Sequence, residues 1–415
     1  MNNCTFPFAG SRTAEPGATA SPSRGQAIRR ALSIAGPAML ALQLAISASA
    51  QAVKRVRRPH DLSPLLERVR QKSDLPGVGA VVVQGQRIVA EGAAGVRRLG
   101  GEDRIRIDDR WHLGSCTKSM TATLAAVLVE DGKLSWDLTI AKALPELADA
   151  MHADYRDVTI ESLLAMRGGV GHAEDVPGLW AELWQRKDAP VEERRKLATA
   201  ILQRPPKMKA GEFLYSNSSF AIAGHMMETV LDEPWEQLLT RLVFEPLQMK
   251  SAGFGVPWTV TEGPSPHDRA GKPIDPGPMA DNPPAIAPAA TVHMTLADWA
   301  TYGAEHLRGL RAMRGELLQP RSFARLHKSH SDDELEGYAL GWAVTTRPWA
   351  KPARYRKGRC LTHTGSNNSW VAIVWIAPER DLAVFVATNI GGEGVPPRVE
   401  AVVDAVIRDH LTRTR

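Results

Sequence analysis

The sequence predicts an α+β fold: an antiparallel sheet built from both chain ends, flanked by terminal helices, with a helical subdomain inserted between them. Three observations carry the prediction. Hairpin patterns occur near both ends, over 78–90 and 369–388. One helical pattern lies outside each hairpin. Helical signals dominate the stretch from about 137 to 240. Strands and one helix at each end, with helices between, fit one sheet closed by the two termini. The 415 residues are 43% hydrophobic and 23% charged, which is the balance of a soluble globular chain with a sizeable core.

In chain order, residues 1–50 differ in kind from the rest. Arg29-Arg30 precedes 31–50, which has no charged residue and ends in small side chains. A basic stretch, an apolar stretch and the small-x-small patterns Ala48-Ser49-Ala50 and Ala50-Gln51-Ala52 predict a secretory signal peptide, cleaved near Ala50 or Ala52. An uncleaved anchor is the competing reading, since twenty residues can span a bilayer. The division expected is 1–52 as signal and extension and 53–415 as one domain, with its helical part over roughly 137–290. Export to the periplasm or medium follows, with no stable membrane span once the signal is removed.

Of the net charge of +5, residues 1–50 carry +3 (four arginines against Glu15), which leaves about +2 for the mature chain. That balance argues against a nucleic-acid partner. A monomer is expected. Cys4 leaves with the signal, and Cys116 and Cys360 remain either to pair or to stay buried as thiols.

The mature domain opens with apolar positions Leu62, Leu65, Leu66 and Val69 at helical spacing. Val78 to Val83, a Gln84-Gly85 turn and Arg87 to Ala90 form the first hairpin. A buried helix follows from Met120 to Val129 and stops at Asp131-Gly132. Helices are expected over 158–164 and 221–231. Residues 255–290 carry Pro273, Pro276, Pro278, Pro283, Pro284 and Pro288, which makes them mostly loop, long enough to border a cleft. The second hairpin turns at Pro378-Glu379-Arg380-Asp381, and a helix from about 398 to 411 ends the chain.

Chemistry centres on Gly114-Ser115-Cys116-Thr117-Lys118-Ser119-Met120. Three residues apart at a helix start, Ser115 and Lys118 share one face. A neighbouring amine can take the proton of a serine hydroxyl and activate it. Unpaired N–H groups of a first helical turn can stabilise an oxyanion beside the serine. Two further motifs stand downstream. Tyr215-Ser216-Asn217 lies in a polar loop, and His363-Thr364-Gly365-Ser366 precedes the penultimate strand. Separations of 100 and 148 residues mean that only the fold can bring the three together.

In this order the motifs resemble the serine β-lactamase and penicillin-binding-protein superfamily, whose pattern is S-x-x-K, Y-x-N and [K/H]-[T/S]-G. The branch most similar contains class C β-lactamases, D-Ala-D-Ala carboxypeptidases and esterases of the same fold. Glu245-Pro246-Leu247-Gln248-Met249 and Tyr338-Ala339-Leu340-Gly341-Trp342 resemble further landmarks, and the likeness runs from about 62 to 411. The resemblance implies Ser115 as nucleophile and acyl carrier. It implies Lys118 and Tyr215 as the proton-transfer pair, the tyrosine acting as base with its pKa lowered by the ammonium. Asn217 would bind the substrate's amide side chain, and the N–H groups of Ser115 and Ser366 would form the oxyanion hole. His363, Thr364 and Gly365 would line the opposite wall and hold a substrate carboxylate. The substrate is then a β-lactam, a D-alanyl peptide or other peptidoglycan-derived compound, or a small ester.

The chain departs from the pattern in three places: His363 where class C enzymes usually have lysine, Met166-Arg167-Gly168-Gly169 where H-T-S-G is usual, and Pro288-Ala289-Ala290-Thr291-Val292 where a glycine pair is common. These are expected to reshape the cleft and weaken β-lactamase activity. A binding or sensing module on the same fold is the alternative of another class. No G-x-S-x-G elbow, H-E-x-x-H zinc motif or phosphate loop is present, so no cofactor and no metal are expected. His112 and His172 are given no role.

Overall fold

The computed structural model describes residues 58–257, 263–275, 277, 280–354 and 356–414. The chain divides into Met1–Arg57 and Arg58–Arg415, and the expected signal segment lies outside the described residues. Among the described residues no helix is long and apolar enough to cross a membrane.

In chain order the strands and longer helices are β1 (His60–Asp61), α1 (Ser63–Lys72), β2 (Gly77–Gln84), β3 (Arg87–Gly95), β4 (Arg110–His112), α2 (Thr117–Glu130), α3 (Pro190–Leu202), α4 (Asn217–Leu231), β5 (Gly253–Phe254), β6 (Val292–Thr295), α5 (Leu296–Leu310), β7 (Gly337–Tyr338), β8 (Ala343–Thr346), β9 (Arg359–Ser366), β10 (Val371–Ala377), β11 (Leu382–Thr388) and α6 (Val395–Arg413). Eight strands form one sheet in the order β1-β3-β2-β11-β10-β9-β8-β7, and β4-β6-β5 form a second, small sheet. The large sheet is antiparallel apart from the β1–β3 pair. β2 from one chain end lies against β11 from the other, so the α+β sheet closed by both termini is what the chain forms.

The inner strands read as unbroken apolar runs because both faces are covered. On β10, Ala372, Val374 and Ile376 pack with α2 and the helical subdomain, while Val371, Ile373 and Trp375 pack with the terminal helices. On the terminal side, α6 sends Val399, Val402, Val403, Val406 and Ile407 inward at helical spacing, beside Leu62 and Leu66. From Ile140 to Leu239 the named elements are helices. α2 runs through their midst, buried from Thr117 to Leu128, which is why its pattern is apolar all round. The turn after it uses Gly132 at φ +68°.

Two regions differ from expectation. The sequence pattern missed β9, because Arg359-Cys360-Leu361-Thr362-His363-Thr364-Gly365-Ser366 mixes polar and apolar residues on both faces. It also missed the small sheet, whose strands are two to four residues long.

Candidate active site

Ser115 sits in a tight turn, Gly114–Cys116, between β4 and α2, rather than in the helix itself. Leu113 N–H donates to Val292 O at 2.9 Å and Cys116 N–H to Leu113 O at 3.1 Å, which ties the turn to the small sheet. Gly114 has φ +49°, and a Cβ there would collide with the Ser366 backbone. Across the contact, a Cβ on Gly365 would lie 2.8 Å from Ser115 N. Glycine on both sides lets the turn and β9 touch backbone to backbone. The amides of Ser115 and Ser366, the expected oxyanion donors, thus belong to adjoining segments.

Lys118 lies in the first turn of α2 and is fully buried. Its Nζ is 2.9 Å from Ser115 Oγ, 2.8 Å from Asn217 Oδ1 and 3.1 Å from Ala289 O. These partners are all uncharged oxygens. Burial lowers the Lys118 pKa from 10.5 to about 7. The ammonium can donate to all three oxygens; once neutral, the amine serves the two carbonyl oxygens with its N–H groups and turns its lone pair to the serine O–H.

The Tyr215 ring stands 4.8 Å from Lys118 Nζ, ring centre to atom. The expectation of a lowered tyrosine pKa is not met. Burial raises it, and the Ser115 hydroxyl only partly offsets that. The physical reason is burial, which penalises the phenolate first, while a Lys118 with its pKa near 7 carries only part of a positive charge at pH 7. Asn217, placed in a loop by the sequence, is the first residue of α4, whose N-cap is Ser216. Its Oδ1 is taken by Lys118, leaving the amide N–H groups as donors.

His363 is buried on β9, and burial lowers its pKa to about 3, so it is neutral. Its Nδ1 is 2.9 Å from Thr364 O and its Nε2 3.2 Å from the Tyr338 hydroxyl. The tautomer that satisfies both carries its proton on Nδ1 and accepts from Tyr338. Tyr338 was noted as part of a sequence landmark without a site role. It packs against Tyr215, His363 and Phe213, with ring centres 6.2, 6.0 and 5.7 Å away. The wall that the resemblance assigned to a substrate carboxylate is therefore aromatic and neutral. Thr364 is exposed, and from His363 to Ser366 the strand pairs only with β10, leaving its other edge open.

The two departures in the helical part act from behind the site. Met166, buried at φ +59°, accepts Leu214 N–H with its carbonyl at 2.8 Å and lies 3.3 Å from Ser216 N through its sulfur. It thus holds the Tyr215 loop rather than lining the cleft. The Pro288 segment supplies the Ala289 carbonyl to Lys118 and the Pro288 carbonyl to Thr121 Oγ1 at 2.6 Å. A backbone carbonyl leaves no mark in sequence. Cys116 and Cys360 are buried, unpaired thiols. Among the described residues no cluster of His, Cys, Asp and Glu could hold a metal ion.

The sequence model of the Beta-lactamase family matches residues 63–408, most of the chain. The chain belongs to the Beta-lactamase family. Among solved structures, a class C β-lactamase from Rhodobacter sphaeroides superposes with a TM-score of 0.63 at 21% identity, covering 83% of this chain and 98% of that one. A D-alanine carboxypeptidase AmpC from Burkholderia cenocepacia gives 0.64 at 18% identity, covering 82% and 96%. Such identities carry the β-lactamase-like fold and nothing finer. Protein flp of Staphylococcus aureus strain MW2 is 22% identical over 351 residues, 82% of this chain and 64% of flp, so the chain spans under two thirds of that relative. A shorter likeness, 26% over 181 residues, links it to the unguisins hydrolase ungD of Aspergillus violaceofuscus, covering 42% of this chain and 31% of that one.

Proposed function

We propose that this member of the Beta-lactamase family is an exported serine hydrolase working through an acyl-enzyme on Ser115, with small esters as its preferred substrates. One observation carries the reading: a fully buried Lys118 amine, its pKa near 7, stands 2.9 Å from Ser115 Oγ, with no carboxylate among the described residues to hold its charge. A neutral amine there removes the hydroxyl proton as Ser115 attacks the carbonyl. The protonated Tyr215 hydroxyl beside Ser115 is placed to relay that proton to the leaving group. The N–H groups of Ser115 and Ser366 would receive the developing oxyanion.

The substrate preference follows from His363. β-Lactams and D-alanyl peptides carry a carboxylate near the scissile bond, and a neutral imidazole gives it no counter-charge. An ester needs none, and the exposed rings of Phe213 and Tyr215, backed by Tyr338, offer an apolar acyl group an aromatic surface. Export rests on the basic-apolar-small pattern of residues 1–52.

The test is intact mass after mixing with a p-nitrophenyl ester, a penicillin and a D-alanyl-D-alanine peptide, alongside turnover of each. Wild type should turn over the ester fastest, and Ser115→Ala should form no adduct with any of them. Rapid cephalosporin or penicillin turnover would make β-lactams the substrate. Turnover that survives in Ser115→Ala would overturn the mechanism.

A further inference from the structure

His112, given no role by the sequence, is the last residue of β4 and is buried two positions before Gly114. Its Nδ1 accepts the Gly114 N–H at 3.1 Å. Its Nε2 lies 2.7 Å from Asp281 Oδ1, both side chains being at most 1% exposed. With Nδ1 accepting, the ring proton is on Nε2, beside the carboxylate as a close charge contact rather than an aligned hydrogen bond. Asp281 comes from the proline-rich loop and is itself held. Its Oδ1 also accepts Asn282 N–H at 2.6 Å, and Arg186 donates to the Asp281 and Asn282 carbonyls at 2.6 and 2.7 Å. Across the β4–β6 pair stands His293, whose Nδ1 is 3.0 Å from Gly255 O. Burial lowers its pKa to about 4, so it stays neutral.

We propose that His112 and Asp281 are positioning residues that set the peptide before Ser115 for oxyanion stabilisation; this rests on the acyl-enzyme reading above. The carboxylate's charge beside Nε2 favours the tautomer with its proton there, and the imidazole fixes the Gly114 N–H. Gly114 then holds its left-handed conformation against Ser366, and the next N–H, that of Ser115, faces the acyl oxygen. Loss of the imidazole leaves a buried N–H without a partner in a turn whose φ is +49°. The Leu113–Gly114 peptide can relieve the loss by rotating about the Gly114 φ, which displaces the following Gly114–Ser115 peptide and carries the Ser115 N–H away from the oxyanion. The effect belongs to the transition state and therefore falls on kcat rather than KM.

Three variants test this with the p-nitrophenyl ester, each checked for folding by circular dichroism. His112→Leu should lower kcat about 100-fold, the range for a lost oxyanion donor, with KM within about 3-fold. His112→Asn, whose amide oxygen can stand where Nδ1 stands, should recover kcat to within about 10-fold of wild type. Asp281→Asn, which keeps the volume and loses the charge, should lower kcat about 10-fold. Full kcat in folded His112→Leu overturns the proposal. So does equal damage in His112→Asn and His112→Leu, because a purely structural role predicts no rescue. Should His112→Leu not fold, Asp281→Asn decides alone, and unchanged kcat there overturns the proposal. If wild type forms no serine adduct with the ester or a fluorophosphonate, the acyl-enzyme reading has failed and takes this one with it.

Discussion

Lys118 and Arg194 are both fully buried, yet their surroundings are opposite. Arg194, on α3, gives its Nη1 and Nη2 to Glu236 at 2.9 and 2.8 Å and its Nε to Glu228 at 2.9 Å, with Pro284 O at 3.1 Å. Burial works against its charge, and the two carboxylates outweigh that and raise its pKa. Lys118 meets only a hydroxyl and two carbonyl oxygens, and burial goes unopposed by any carboxylate. A buried cation with counter-charges is locked in one protonation state and serves the fold. Without them, its proton is exchangeable near neutral pH, and it can serve chemistry.

The largest expected effect breaks the second half of this contrast. Lys118→Arg installs a cation that cannot give up its proton, and kcat/KM for an ester should fall by about 10³ or more. A loss within tenfold would show that no neutral amine is needed. Stability should then divide the two sites by sign. Arg194→Met strands Glu228 and should cost about 3–5 kcal/mol in denaturant unfolding. Lys118→Met removes a poorly solvated amine and should raise Tm. The sign in pH follows from the folded pKa near 7 lying below the unfolded value of 10.5. The unfolded chain binds this proton more tightly, so wild-type stability falls as pH drops from 10.5 to 7 and the cost is complete below 7. The advantage of Lys118→Met should accordingly shrink as pH rises above 7. The smallest effect concerns the wall. His363→Lys should lower KM for a carboxylate-bearing β-lactam about tenfold, or roughly 1.4 kcal/mol. No gain would mean that the missing charge is not what limits such substrates.

The sequence made the sheet's inner hairpins and the Ser115–Lys118–Tyr215 cluster legible for different reasons. β2, β10 and β11 are buried on both faces and therefore apolar throughout, while Ser115, Lys118 and Tyr215 stand in motifs whose order alone marks them. β9 stayed hidden because its His363 end serves the site instead of the core. The tyrosine's pKa was misjudged because the burial that raises it leaves no mark in the local sequence. The Lys118 pKa is lowered by complete burial among uncharged partners, Ala289 O and Asn217 Oδ1 included, and neither relation is written in local sequence. His112 was given no role for the same reason, its neighbour Asp281 lying 169 residues away.

The account stands most directly on the protonation state of Lys118. The measurement is the pre-steady-state acylation rate with a p-nitrophenyl ester from pH 5 to 10. It should rise along a single titration with its midpoint near 7 and level off above it. A rate flat across that range, or a midpoint near the ordinary lysine value of 10.5, would contradict the claim that a neutral Lys118 activates Ser115.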